Sequence, residues 1–182
     1  MVVTAMRHDG PISLHYPRDA GEDLADRTGE ALQIGHAEVL RAGGDLLMVG
    51  FGPIVQRLLA VADRLERDHG LTSTVINARW AKPLDEACLA EHAAGKRLVV
   101  TAEESAAMGG FGDGALDALN RAGVRVPLLK VALVEGFVHH GAVDDLRRQQ
   151  RIDIDGIYAQ LREALALPET PTVSRTSDVG AA

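Results

Sequence analysis

From residue 30 onward the sequence predicts a three-layer α/β/α sandwich on a mostly parallel sheet of about five strands. Short apolar runs such as "DLLMVGFG" (45–52) and "RLVVTAEE" (97–104) alternate with amphipathic stretches, at a spacing that suits right-handed parallel crossovers. The composition agrees. Of 182 residues, 46% are hydrophobic and only 3% aromatic, so the core must be built from Ala, Val, Leu and Ile. That length fills one well-cored domain and is too short for two full ones.

The elements follow in order. "MVVTAMRHD" (1–9) reads as the end of a helix, with apolar Val2, Val3 and Met6. Gly10-Pro11 breaks it, and Ile12, Leu14 and Tyr16 then alternate with Ser13 and His15 as a strand does, ending in a Tyr16-Pro17-Arg18 corner. "DAGEDLADRTG" (19–29) is acidic, buries little and reads as a linker. "ALQIGHAEVLRAGG" (31–44) suggests a strand or hairpin at a sheet edge, and 45–52 a strand covered on both faces. Residues 53–67 carry Ile54, Leu58, Val61, Ala62 and Leu65 at helical spacing, with Pro53 suited to the first turn. "STVINARW" (73–80) is the next strand. "LDEACLAEHAAG" (84–95) is a helix that Asp85 can cap and Gly95 can close. The strand at 97–104 leads through the glycine-rich "MGGFGDG" (108–114) into the helix "ALDALNRAG" (115–123). "VPLLKVAL" (126–133) is the last strand, and helices follow around 143–150 and 155–166. The tail "PETPTVSRTSDVGAA" (168–182) has no apolar pattern and is expected to be disordered.

Several function classes lose their physical basis. A net charge of −7 with scattered arginines gives no basic stripe for nucleic acid. The single cysteine, Cys88, rules out an internal disulfide or a cysteine-based zinc cluster and fits a reducing compartment. Neither a membrane-length apolar run nor a signal-peptide pattern is present, so the chain is read as a soluble cytoplasmic protein.

Each candidate for chemistry has a structural reading beside it. The glycines of 108–114 stand where a phosphate could meet backbone N–H groups, but their spacing is neither the dinucleotide fingerprint nor a P-loop, and they are expected to let a helix N-terminus pack tightly against its strand or against a partner subunit. Glu103 and Glu104 end a strand; as neighbours they point to opposite faces and cannot act together on one substrate. The expected role is to accept hydrogen bonds from a nearby helix start. His139 and His140, with Asp144 or Asp145, lack a third ligand at a recognisable spacing and read as a turn before a helix. Cys88 sits beside no obvious base and reads as a small buried apolar residue. Arg18, aimed out of the strand end by Pro17, can hold a phosphate bidentately.

Taken in order, "DGPISLHYPR", "IGHAEVLRAGGDLLMVGFG", "NARWAKPLDE", "LVVTAEESAAMGGFGDGAL", "VPLLKVAL" and "FVHHGAVDDLRRQQRIDIDGI" resemble the C-terminal portion of the 1-deoxy-D-xylulose-5-phosphate synthase family, in the transketolase-like, thiamine-diphosphate-dependent superfamily. "KPLDE" and "EE…GGFG" alone would also suit the β subunit of 2-oxoacid dehydrogenases. The resemblance implies a transketolase C-terminal fold with one antiparallel edge strand on the parallel sheet. It divides the chain into 1–18, the end of a truncated pyrimidine-binding domain; 19–29, the linker; 30–167, the C-terminal domain; and 168–182, the tail. It implies a parent transferase reaction, pyruvate and D-glyceraldehyde 3-phosphate giving 1-deoxy-D-xylulose 5-phosphate and CO2, which feeds isoprenoid and thiamine biosynthesis. The parent's thiamine diphosphate and Mg²⁺ sit in domains this chain lacks, so no cofactor-binding, metal-binding or catalytic residue is expected here, and the chain alone is expected to be inactive. One family residue carries over: the arginine of the "YPRG" corner, which helps bind the substrate phosphate, falls on Arg18. Asp19 replaces the family's glycine and sets a carboxylate beside it. Position 15 is His where the family often has Arg, and "LVEGF" replaces "LPDRF". The implied partners are a second copy of the chain in a homodimer, or the missing N-terminal and pyrimidine-binding domains. The alternative from another class is a stand-alone assembly or regulatory subunit completing a split thiamine-diphosphate enzyme, such as a transketolase or a 2-oxoacid dehydrogenase β-type protein.

Overall fold

A computed structural model describes residues 1–17 and 29–168. Arg18, the linker up to residue 28 and the tail from 169 lie outside the described residues. Helix α1 (Val2–Arg7) comes first, and the sheet then begins with β1 (Glu38–Arg41) and β2 (Leu46–Gly50). After these come α2 (Ile54–His69), β3 (Ser73–Asn77), α3 (Glu86–Ala93), β4 (Leu98–Ala106), α4 (Phe111–Arg121) and β5 (Leu128–Leu133), with α5 (Val143–Gln149) and α6 (Ile154–Leu165) closing the fold.

The five strands lie in the order β1-β3-β2-β4-β5. β2 pairs in parallel with β3 on one side and β4 on the other, and β5 extends the parallel set. β1 alone is antiparallel, on the edge beside β3. The expected fold class is therefore the one observed.

Alternation across the strands builds two cores. Leu46, Met48, Val75, Val100, Ala102 and Val131 face α2 and α6, whereas Leu47, Val49, Ile76 and Val99 face α3 and α4. β2 is buried at every position because both of its faces are covered, which is why it reads as a continuous apolar run. Helix α2 presents Ile54, Leu58, Val61, Ala62 and Leu65 to the sheet, the set its periodicity predicts. It is fixed to α6 by the buried Tyr158, whose hydroxyl donates to Asp68 Oδ2 at 3.0 Å and lies 3.0 Å from His69 Nε2. The Arg64 guanidinium stacks 3.9 Å from the centre of the same ring.

Two sequence expectations need correction. The alternation at Ile12, Leu14 and Tyr16 forms no strand, because these residues pair with no ladder among the described residues. Alternation supplies two faces, but a strand also needs neighbours for its backbone groups. Helix α4 begins at Phe111, inside the glycine-rich segment and four residues ahead of the expected start, because the Glu103 carboxylate accepts from its first N–H groups.

The rim at the N-terminal ends of the parallel strands is closed by polar contacts. Asp45 Oδ2 accepts from the Thr72 backbone N–H (2.8 Å) and hydroxyl (3.0 Å), and Arg97 N–H donates to the Asp45 carbonyl at 2.8 Å. Lys96 Nζ reaches the Gly43 and Gly44 carbonyls and Thr74 Oγ1. Gly43 is obligatory here, since a Cβ would lie 2.4 Å from the Ser73 backbone nitrogen. The Thr72 hydrogen bonds hold the Asp45 carboxyl below its ordinary value of 3.8.

Leu58 is fully buried, so Leu58→Ala should cost about 2–5 kcal/mol in urea denaturation, against a few tenths for Leu116→Ala on the partly exposed face of α4. Because the folded pKa of Asp45 is depressed, its contribution is complete above 3.8 and fades as pH falls through the lower folded value. Asp45→Asn should therefore flatten the loss of stability between pH 4 and more acid conditions. An acid limb identical to the wild type would contradict this account.

Candidate functional site

In open α/β sheets ligands meet the C-terminal rim of the strands, at the point where crossovers diverge. Here that point lies between β2 and β4: α2 leads from β2 to one side, α3 and α4 cover the opposite face, and β4 and β5 extend the sheet away from β3. The loops after β2 and β4 meet there, with Phe51 and Phe111 in an edge-to-face contact (centroids 5.2 Å apart).

Glu103 ends the buried part of β4 on the α4 side and is only 2% exposed. Its Oε2 accepts from the Phe111 N–H at 2.8 Å and its Oε1 from the Gly112 N–H at 2.9 Å, with Ser105 Oγ donating as well. The carboxylate thus caps α4 from a neighbouring strand, the role expected from its position, and it starts the helix within the glycines. Little room remains. A Cβ at Gly110 would lie 2.5 Å from Glu103 Oε2, and one at Gly112 would lie 2.7 Å from Thr101 Oγ1 and the Lys130 side chain. Asp113 accepts from Lys130 Nζ (2.7 Å) and the Gly109 N–H (2.7 Å), contacts that hold its carboxyl below the usual range.

Glu104 points to the other face, as alternation requires. Its Oε1 takes Arg57 of α2 and the Arg147 Nε of α5 (3.2 Å), while Arg57 Nη1 donates to the Ile152 carbonyl at 2.9 Å. One carboxylate thereby joins α2, α5 and the turn before α6. Next to β3, Asn77 Oδ1 accepts from the Arg79 N–H, and Arg79, in the left-handed region at φ 58°, pairs with Glu38 of β1 at 2.6 Å. Asp85 caps α3 through the Cys88 N–H (3.1 Å), as predicted, and its second oxygen accepts from the Ala37 N–H (2.9 Å). Cys88 is half-buried rather than buried, and burial raises its thiol pKa, which disfavours a nucleophilic thiolate.

His139 and His140 are exposed in the loop ahead of α5, and among the described residues no group of three or more His, Cys, Asp or Glu is arranged to hold a metal ion. The start of α4 does not fit a diphosphate. The α4 N–H groups that could cradle it already bind Glu103, and the Gly112-Asp113-Gly114 triplet lies inside the helix with Asp113 committed to Lys130. Around Glu103, Glu104 and Arg79 the rim is a scaffold of paired charges. Sequence reasoning missed Arg57, Arg147 and Arg79, because nothing local marks an arginine whose carboxylate partner lies on another element.

Residues 35–157 match the transketolase C-terminal domain family. A 1-deoxy-D-xylulose-5-phosphate synthase from Synechococcus sp. (strain JA-3-3Ab) is 41% identical over 165 residues, covering 89% of this chain and 25% of that protein. The synthase of Thermosynechococcus vestitus (strain NIES-2133 / IAM M-273 / BP-1) is 37% identical over 180 residues, covering 97% of this chain and 28% of its own length. The chain thus spans about a quarter of the length of these curated relatives. Among solved structures, a split gene transketolase described as an inactive beta4 tetramer superposes with a TM-score of 0.69 at 26% identity, over 85% of this chain and 48% of that one. A transketolase from Campylobacter jejuni subsp. jejuni NCTC 11168 shares the fold at TM-score 0.52 and 15% identity, over 71% of this chain and 18% of that one.

Removing one acceptor of a charge-assisted cap should be costly. Glu103→Gln is expected to lose about 1.5–3 kcal/mol in urea denaturation and to raise amide hydrogen exchange at Phe111 and Gly112 above that of the rest of α4. Unchanged exchange there would show that α4 starts without the carboxylate.

Proposed function

The chain belongs to the transketolase C-terminal domain family, and from that premise we propose that it is the C-terminal domain of a 1-deoxy-D-xylulose-5-phosphate synthase-type transferase. The observation that carries this reading is its 41% identity to a synthase across 89% of the chain, against 26% to the split gene transketolase. The parent reaction joins pyruvate and D-glyceraldehyde 3-phosphate with loss of CO2. Thiamine diphosphate with Mg²⁺ supplies the carbanion chemistry of that reaction when bound elsewhere in the enzyme. In this chain Glu103, Glu104 and their partners hold the rim rigid, and Arg18 carries the substrate phosphate contact, opposed by the neighbouring Asp19.

A second reading is favoured by the likeness to the split gene transketolase: the domain acts as a separate assembly subunit that completes an enzyme whose cofactor domains are made elsewhere. Both readings give the isolated chain no synthase activity.

The test is a fusion in which this chain replaces the C-terminal quarter of the Synechococcus sp. (strain JA-3-3Ab) synthase. The fusion should form 1-deoxy-D-xylulose 5-phosphate while the chain alone, given pyruvate, glyceraldehyde 3-phosphate, thiamine diphosphate and Mg²⁺, should form none. Arg18→Ala in the fusion should raise KM for glyceraldehyde 3-phosphate by about tenfold or more, the loss of one charge-assisted contact. A soluble fusion without activity would sink the synthase reading, and an unchanged KM would remove Arg18 from the site.

A further inference from the structure

The two rims of the sheet differ in how they are finished. At the N-terminal rim, Asp45, Thr72, Lys96 and Arg97 are tied to one another and to backbone groups, and none of the exposed large hydrophobic side chains among the described residues lies on its connecting loops. At the C-terminal rim the loops after β4 and β5 expose Met108 (74%), Val134 (63%) and Phe137 (100%), with Val138 and Val143 beside them. A phenylalanine wholly in water gains nothing for this domain's own fold, and several large apolar side chains on one rim mark a surface built to be covered.

The start of the described chain sits at that same rim. β1 begins opposite Asn77, the last residue of β3, and the Ala37 N–H just before it is held by Asp85 at the head of α3. Helix α1 is tied to this approach by Thr4, whose buried hydroxyl accepts from the Leu32 N–H at 2.7 Å and donates to the Leu32 carbonyl at 3.2 Å. Val2 and Met6 of α1 face solvent as well. The relatives carry about three quarters of their length beyond the part this chain matches.

We propose that the C-terminal rim, centred on Phe137, Met108 and Val134, is the docking surface for the cofactor-bearing domain of a transketolase-type enzyme. The assignment rests on the family reading above and adds the face through which the domain is held. The apolar loops after β4 and β5 supply the contact, while Thr4 ties α1 to the segment that leads into β1 at the same rim. The carboxylates near the C-terminal end of β4 keep those loops in place, since Glu103 holds the helix start that closes the turn carrying Met108 and Glu104 holds α5, the helix that follows the Phe137 loop, through Arg147.

The experiment compares Phe137→Cys with Arg125→Cys, the latter an exposed position on the N-terminal rim, in the isolated chain and in the fusion with the Synechococcus domains. Maleimide labelling is read peptide by peptide by mass spectrometry. Cys at 137 should react at least tenfold more slowly in the fusion than in the isolated chain, with Cys at 125 unchanged. Equal rates at 137 in both proteins, or equal slowing at both positions, would overturn the proposal. Shielding of position 137 that grows with the concentration of the isolated chain would also overturn it, making the rim a contact between copies of this chain. Met108→Ser with Phe137→Ser should lower the unfolding midpoint of the fusion and leave that of the isolated chain unchanged. A midpoint lowered in the isolated chain would show that these side chains serve its own core. Labelling does not depend on turnover, so a fusion that protects position 137 yet makes no product refutes the synthase reading and keeps the docking surface.

Discussion

The carboxylate of Glu103 is the contact on which the functional rim depends. It leaves β4 on the α4 side, is almost fully buried, and takes the first free N–H groups of α4 at 2.8 and 2.9 Å. A helix start has donors and no internal acceptors, and a resident anion answers both that need and the macrodipole. Once it is there, much else follows. Gly110 and Gly112 cannot carry side chains, the helix begins among glycines that would otherwise discourage it, and Phe111 is placed against Phe51 at the divergence of the crossovers. The same contact closes the site to a phosphate, since the donors a ligand would use are occupied.

Glu104, one residue on, does a different task because the strand turns it to the opposite face. It is shared by Arg57 and Arg147 and so binds helices that have no direct covalent continuity. Together the adjacent acids brace both layers at one end of the sheet. Both carboxylates are engaged in these contacts. One rim of the sheet is closed by polar contacts, whereas the loops after β4 and β5 on the other expose apolar side chains.

Much of this fold is legible in the order of residues. β2 and α2 announce themselves because burial on both faces demands a continuous apolar run, and burial on one face demands a 3.6-residue period. The opposed directions of Glu103 and Glu104, and the cap at Asp85, follow from alternation and capping rules that act over a few residues. Other features needed partners distant in sequence. The alternation at Ile12–Tyr16 had no ladder to join. The start of α4 was set by a strand residue eight positions earlier, and the arginines of the rim became meaningful only beside carboxylates some tens of residues away.

By itself the sequence determined the layer class, the strand and helix succession and the family resemblance, because each is written in local periodicity or in contiguous motifs. Only the tertiary structure decided which charges meet, where α4 begins and which rim is left apolar. Those outcomes depend on through-space neighbours: a side chain such as Phe137 is apolar in any sequence, but its complete exposure is a property of everything that does not cover it.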